Sequence, residues 1–95
     1  MIDWKIKLTP DAIHFLAGLH PDTKRIIKSA LQEIREFPHS GIDLQEELSG
    51  FKSFRTKRYR ILYKVNEEEQ AIEVYYIGHR KDIYEQFRRL LNHLA

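Results

Sequence analysis

Hydrophobic and polar residues alternate at the start of the chain, with Ile2, Trp4, Ile6 and Leu8 on one side and Asp3, Lys5 and Lys7 on the other. A period of two predicts a half-buried strand. Thr9-Pro10-Asp11 then predicts a helix start: Thr9 as N-cap, Pro10 at the first helical position, Asp11 beside the positive end of the dipole. That helix is short and turns Ala12, Phe15, Leu16 and Leu19 inward. His20-Pro21-Asp22 opens a second helix, where Ile26, Ile27, Ala30, Leu31, Ile34 and Phe37 recur at helical spacing until Pro38 ends it. A polar connection over 39–50 follows, anchored by Leu44 and Leu48. β-formers, Ile61, Leu62, Tyr63 and Val65 among them, then predict strands over 51–55, 59–65 and 71–78, joined by a turn at 56–58 and an acidic loop at 66–70. Residues 80–94 are amphipathic again, with a stripe of Ile83, Phe87, Leu90, Leu91 and Leu94. The order β-α-α-β-β-β-α predicts an α+β fold. A helical hairpin packs on a twisted, mostly antiparallel sheet, a C-terminal helix follows, and residues 1–95 make one domain.

Centring the last hairpin on Glu68 sets Arg60 opposite Tyr76 and Leu62 opposite Val74. Even-numbered positions then share one side of the sheet, which gathers Arg60, Tyr76, Gly78 and Arg80.

Composition narrows the class. The 95 residues include no cysteine, which excludes a disulfide scaffold and the common zinc sites. His14, His20, His39 and His93 are scattered without metal-ligand spacing, so neither metal nor cofactor is expected. Charges at Asp3, Lys5 and Lys7 argue against a signal peptide, and no apolar run approaches the roughly 18 residues of a membrane span. The expectation is a cytoplasmic protein without membrane contact.

Charge changes the picture further. The net charge is only +2, yet residues 51–64 (F-K-S-F-R-T-K-R-Y-R-I-L-Y-K) hold six basic and no acidic residues, and the other 81 hold ten basic against fourteen acidic. Two readings stand for this stretch. A basic hairpin with interleaved aromatics holds RNA phosphates and stacks bases; a solvated edge strand is guarded by Lys and Arg. Single residues divide the same way. Arg60 either meets a phosphate or pairs with Glu73, and Arg80 is either functional or a surface residue at a helix start. His79 transfers protons or is a satisfied structural histidine, and Tyr84 orients a ligand or joins the core.

The segments L-S-G-F-K-S-F-R at 48–55, Y-R-I-L-Y at 59–63 and I-G-H-R-K-D-I-Y at 77–84 resemble the RelE/ParE toxin superfamily. W-K-I, T-P-D-A and P-H-S-G extend the resemblance over nearly the whole chain. G-H-R-x-x-I-Y is more similar to its ribosome-dependent mRNA endonucleases than to its DNA gyrase inhibitors, which remain the alternative. The resemblance implies a cognate antitoxin, the ribosome and mRNA as partners, and metal-independent cleavage by attack of a ribose 2′-OH on the adjacent phosphate. Such a step needs a proton acceptor, cations at the phosphorane and an acid for the leaving oxygen. By resemblance these roles fall on Arg60, Arg80, Tyr84 and Arg55, with His79 as general acid or base, since an imidazole serves as either near neutral pH. Lys52, Lys57 and Arg58 are expected to hold RNA. The chain departs from the family at the lysine pair that precedes the strand arginine: here only Lys52 is near, with Ser53 beside it. Asp43, Glu46 and Glu47 are the alternative bases.

Overall fold

The first helix begins where the sequence says it should. Thr9 caps α1 (Pro10–Ala17), its Oγ1 accepting the Ala12 N–H at 3.3 Å and donating to the Tyr75 carbonyl at 3.0 Å. The computed structural model describes residues 4–79 and 83–94. Ile2 and Asp3 of the expected first strand, and Arg80, lie outside the described residues, as does the side chain of Leu94. The remaining elements are β1 (Lys5–Leu8), α2 (Pro21–Glu36), β2 (Ile42–Asp43), a 3-10 turn (Glu46–Leu48), β3 (Lys52–Thr56), β4 (Tyr59–Asn66), β5 (Ala71–His79) and α3 (Ile83–Leu94). His20 caps α2 through Nδ1, which accepts the Asp22 N–H at 3.2 Å, and Pro21 takes the first helical position.

The sheet order is β1-β5-β4-β3-β2, with β1 parallel to β5 and the other pairs antiparallel. The α1–α2 hairpin covers one face, where Ala12, Ile27, Ala30, Leu31 and Ile34 meet Ile61, Tyr63, Ile72, Val74 and Ile77. Helix α3 covers the other, where Ile83 and Phe87 meet Leu48, Phe51 and Leu62. The middle of β4 is therefore buried on both sides, which explains why Ile61-Leu62-Tyr63 reads as an unbroken apolar run rather than an alternation. Phe51 packs edge-on against Tyr75 and Phe87 at 5.0 and 4.9 Å between centroids, contacts worth about 0.5–1.5 kcal/mol each beyond their burial.

Three expectations are corrected. The connection after α2 holds one more strand, β2, only two residues long and too short to leave a periodic signal. Phe37 is 66% exposed rather than inward, because α2 ends at Glu36 and Phe37 leaves helical geometry (φ −131°, ψ 76°). The β4–β5 register also differs: Arg60 pairs with Gly78, Leu62 with Tyr76, and Tyr63 with Val74. The loop centres half a residue beyond Glu68, and a bulge leaves Tyr75 without a partner in the ladder. The two offsets sum to an even shift at the end holding Arg60. Arg60, Tyr76 and Gly78 thus still share a side, the α3 side.

Candidate functional site

The alternation of β3 and β4 aims Ser53, Leu62 and Arg60 at α3, and the first turn of α3 brings Tyr84 down onto them. Ser53 is 1% exposed. Its Oγ accepts hydrogen bonds from Arg60 Nη1 and from the Tyr84 hydroxyl, each at 3.2 Å. The Arg60 guanidinium carbon lies 5.7 Å from the centre of the Tyr84 ring, within cation–π range. Arg60 Nε is buried and has no hydrogen-bond partner among the described residues. Glu73, its expected ordinary partner, instead faces Lys64 and Lys7 on the two neighbouring strands. A half-buried guanidinium with an unmet donor and no carboxylate among the described residues is a candidate anion site.

Around this centre the sheet adds positive charge. Arg55 stands directly across from Arg60, a like-charge pair that costs stability unless an anion lies between. Lys57 and Arg58 form the exposed tip of the β3–β4 hairpin. Gly78 flanks Arg60 on the other strand; a methyl there would lie 3.1 Å from the Tyr76 ring and 3.5 Å from Ile83. Glycine lets α3 approach closely at this point. A cleft of about 270 Å³ between Glu46 and Tyr84 opens beside the cluster, with Arg88 on its wall. Arg88 is held there by an ion pair with Glu47 at 2.5 Å.

The structure thus brings Arg60, Arg55 and Tyr84 together and places other expected residues elsewhere. His79 is exposed at the end of β5, its ring tilted against that of Tyr59 with centroids 5.0 Å apart, on the side of the sheet facing the α1–α2 hairpin. Lys52 also faces that side, opposite Tyr63, and its ammonium pairs with Asp43 at 2.6 Å. Of the three alternative bases, Asp43 and Glu47 are ion-paired, whereas Glu46 makes no ion pair among the described residues and lines the cleft with Tyr84. Ser53, the hub of the cluster, was missed. Its signal was a small polar residue at an inward strand position between Phe51 and Arg55. Among the described residues, no group of three His, Asp or Glu side chains is arranged to hold a metal ion, and no helix is long and apolar enough to cross a membrane.

The fold is that of a small α+β toxin of a toxin–antitoxin system, as comparison with known proteins shows. Residues 6–84 match the family model described as the ParE toxin of type II toxin–antitoxin system, parDE. The chain is 36% identical over 84 residues to the Mycobacterium tuberculosis toxin RelG, an alignment covering 79% of this chain and 97% of that one. Among solved structures it is similar to the RelBE2 toxin–antitoxin complex of M. tuberculosis, at 26% identity and a TM-score of 0.75, covering 83% of this chain and 100% of the other. The isolated Escherichia coli RelE toxin shares the fold at a TM-score of 0.69 and 18% identity, over 92% of this chain and 97% of that one. The chain belongs to the ParE toxin family, within the RelE/ParE superfamily.

Proposed function

We propose that this toxin is a ribosome-dependent endoribonuclease that cuts mRNA in the A site and so stops translation, held in check by a cognate antitoxin. The observation that carries the reading is Arg60: a half-buried guanidinium, unmatched by any described carboxylate, beside a tyrosine able to stack on a base. In this reading a ribose 2′-oxygen attacks the adjacent phosphorus while its proton passes to a protein base. The P–O5′ bond breaks, leaving a 2′,3′-cyclic phosphate, and the 5′-oxygen takes a proton. Arg60, with Arg55 and Arg80, neutralises charge growing on the phosphorane, and Tyr84 orients the nucleotide. Proton transfer falls to His79 only where the RNA reaches round the end of β5, since its ring lies on the face opposite Arg60; Glu46 is the carboxylate in the cleft beside Tyr84. Lys57 and Arg58 hold ribosomal or messenger RNA from the hairpin tip, and Lys52 contributes only by leaving Asp43. The toxin–antitoxin complex to which the fold is similar supports the antitoxin as partner.

Inhibition of DNA gyrase without cleavage is the second reading. It is favoured by the ParE description of the matching family and by the lack, among the described residues, of a carboxylate bonded to Arg60, Ser53 or Tyr84. Incubation with programmed ribosomes and mapping of mRNA 5′ ends separates the two. Codon-periodic cuts support the endonuclease; intact mRNA with blocked gyrase supercoiling sinks it. Arg60→Ala should slow cleavage by about 100- to 1,000-fold, the usual effect of removing one donor to a developing oxyanion. His79→Gln should also lose most activity while remaining folded, and full activity in that variant removes His79 from the mechanism.

A further inference from the structure

Apart from aromatic residues such as Tyr63, Ser53 is the only buried residue with a polar side chain among the described residues, and both of its contacts are groups that the proposed reaction uses. A hydroxyl has two acceptor sites, so one buried oxygen receives both the Arg60 N–H and the Tyr84 O–H at 3.2 Å. No other hydrogen bond restrains the Arg60 side chain among the described residues. A long arginine side chain has many rotamers to lose, and the facing Arg55 favours its moving away. The serine, together with the Tyr84 ring that it also bonds, is therefore what holds the guanidinium in place. With one Nη1 hydrogen given to Ser53, four of the five guanidinium N–H groups are left for other partners, the buried Nε–H among them.

We propose that Ser53 is a positioning residue, whose hydroxyl fixes the Arg60 guanidinium and the Tyr84 ring relative to each other so that one nucleotide meets both. The inference rests on the endonuclease reading for its effect on rate, but not for its geometry. Ser53→Ala, folded by circular dichroism, should lower kcat on programmed ribosomes by on the order of 10- to 100-fold, the scale set by small misplacements of reacting groups. KM should change little, since the phosphate-steering charges remain. Thr and Val are near-isosteric, so Ser53→Thr should keep most of the turnover while Ser53→Val falls to the alanine level. Nitrogen-15 NMR of the arginine side chains supplies a readout independent of cleavage. The Arg60 Nη signals should be resolved in the wild-type chain and averaged in Ser53→Ala.

An alanine variant as fast as the wild type, or faster, overturns the proposal, as do equal losses in folded Thr and Val variants. Should the Thr and Val variants not fold, unchanged Arg60 signals in Ser53→Ala overturn it instead. A wild-type chain that leaves mRNA intact defeats the endonuclease reading alone. In that case the NMR comparison by itself decides for or against Ser53.

Discussion

Tyr63 is fully buried, yet its hydroxyl is fully used: it donates to the Pro38 carbonyl at 2.9 Å and accepts the Gly41 N–H at 3.0 Å. The phenol thereby staples the connection after α2 onto the sheet. Gly41 is required there, because a methyl would lie 2.6 Å from the phenolic oxygen. Burial raises the Tyr63 pKa, and the Gly41 hydrogen bond only partly opposes this. The folded state thus holds the proton more tightly than the unfolded chain. Its contribution is complete below the ordinary tyrosine range of about 10 and is lost as pH rises through the folded value. Tyr63→Phe should cost about 1–3 kcal/mol at neutral pH, from the two backbone groups left unpaired. Urea unfolding over an alkaline pH series should show that gap closing above pH about 10. A gap that stays constant would mean that Tyr63 does not ionise on unfolding.

The β3–β4 hairpin shows a conflict between backbone and side chain. Lys57 sits at its tip with φ at 53°, a left-handed conformation that glycine adopts without cost. Lys57→Gly should therefore stabilise the fold by about 1 kcal/mol, raising the thermal midpoint by several degrees. The same change should weaken RNA binding. A stability gain with no loss of binding would leave Lys57 without a function at the tip. Helix α3 shows how one element couples core to site. The residue that buries the helix, Phe87, lies less than one turn from Tyr84, which reaches Arg60 and Ser53. Periodicity assigns the amphipathic stripe of α3 its buried members, but Tyr84 beside that stripe reads more readily as core than as ligand. Only its hydroxyl contact to Ser53, across 31 residues of chain, separates the two.

Over the whole molecule the charge is segregated rather than large, at +2 in total with the 51–64 segment strongly positive. β2 covers only Lys52 and Ser53 of β3, so the strand is an open edge at Arg55 and Thr56. Edge protection and RNA contact both explain basic residues there, and salt dependence tells them apart. Log affinity for single-stranded RNA falls by about 0.7 per phosphate contact for each unit of log salt. The Arg55→Ala/Lys57→Ala variant should lower that slope by about 1.4 in anisotropy titrations. An unchanged slope assigns both residues to guarding the edge.

Hydrophobic periodicity and caps determined the α+β class, the order of helices and long strands, and the basic hairpin, because each follows from side chains within a few residues of one another. Parity also put Arg60, Tyr76 and Gly78 on one side although the register was off, since an even shift preserves faces. What only the tertiary structure decided was long-range: the bulge at Tyr75, the docking of α3 on the face opposite the hairpin, and hence which polar groups meet. His79 and Arg60 are close in the pattern but point to opposite faces of the sheet, whereas Ser53 and Tyr84 are far apart in sequence and share a hydrogen bond. Packing across a sheet depends on contacts between distant segments, and a local pattern carries no record of them.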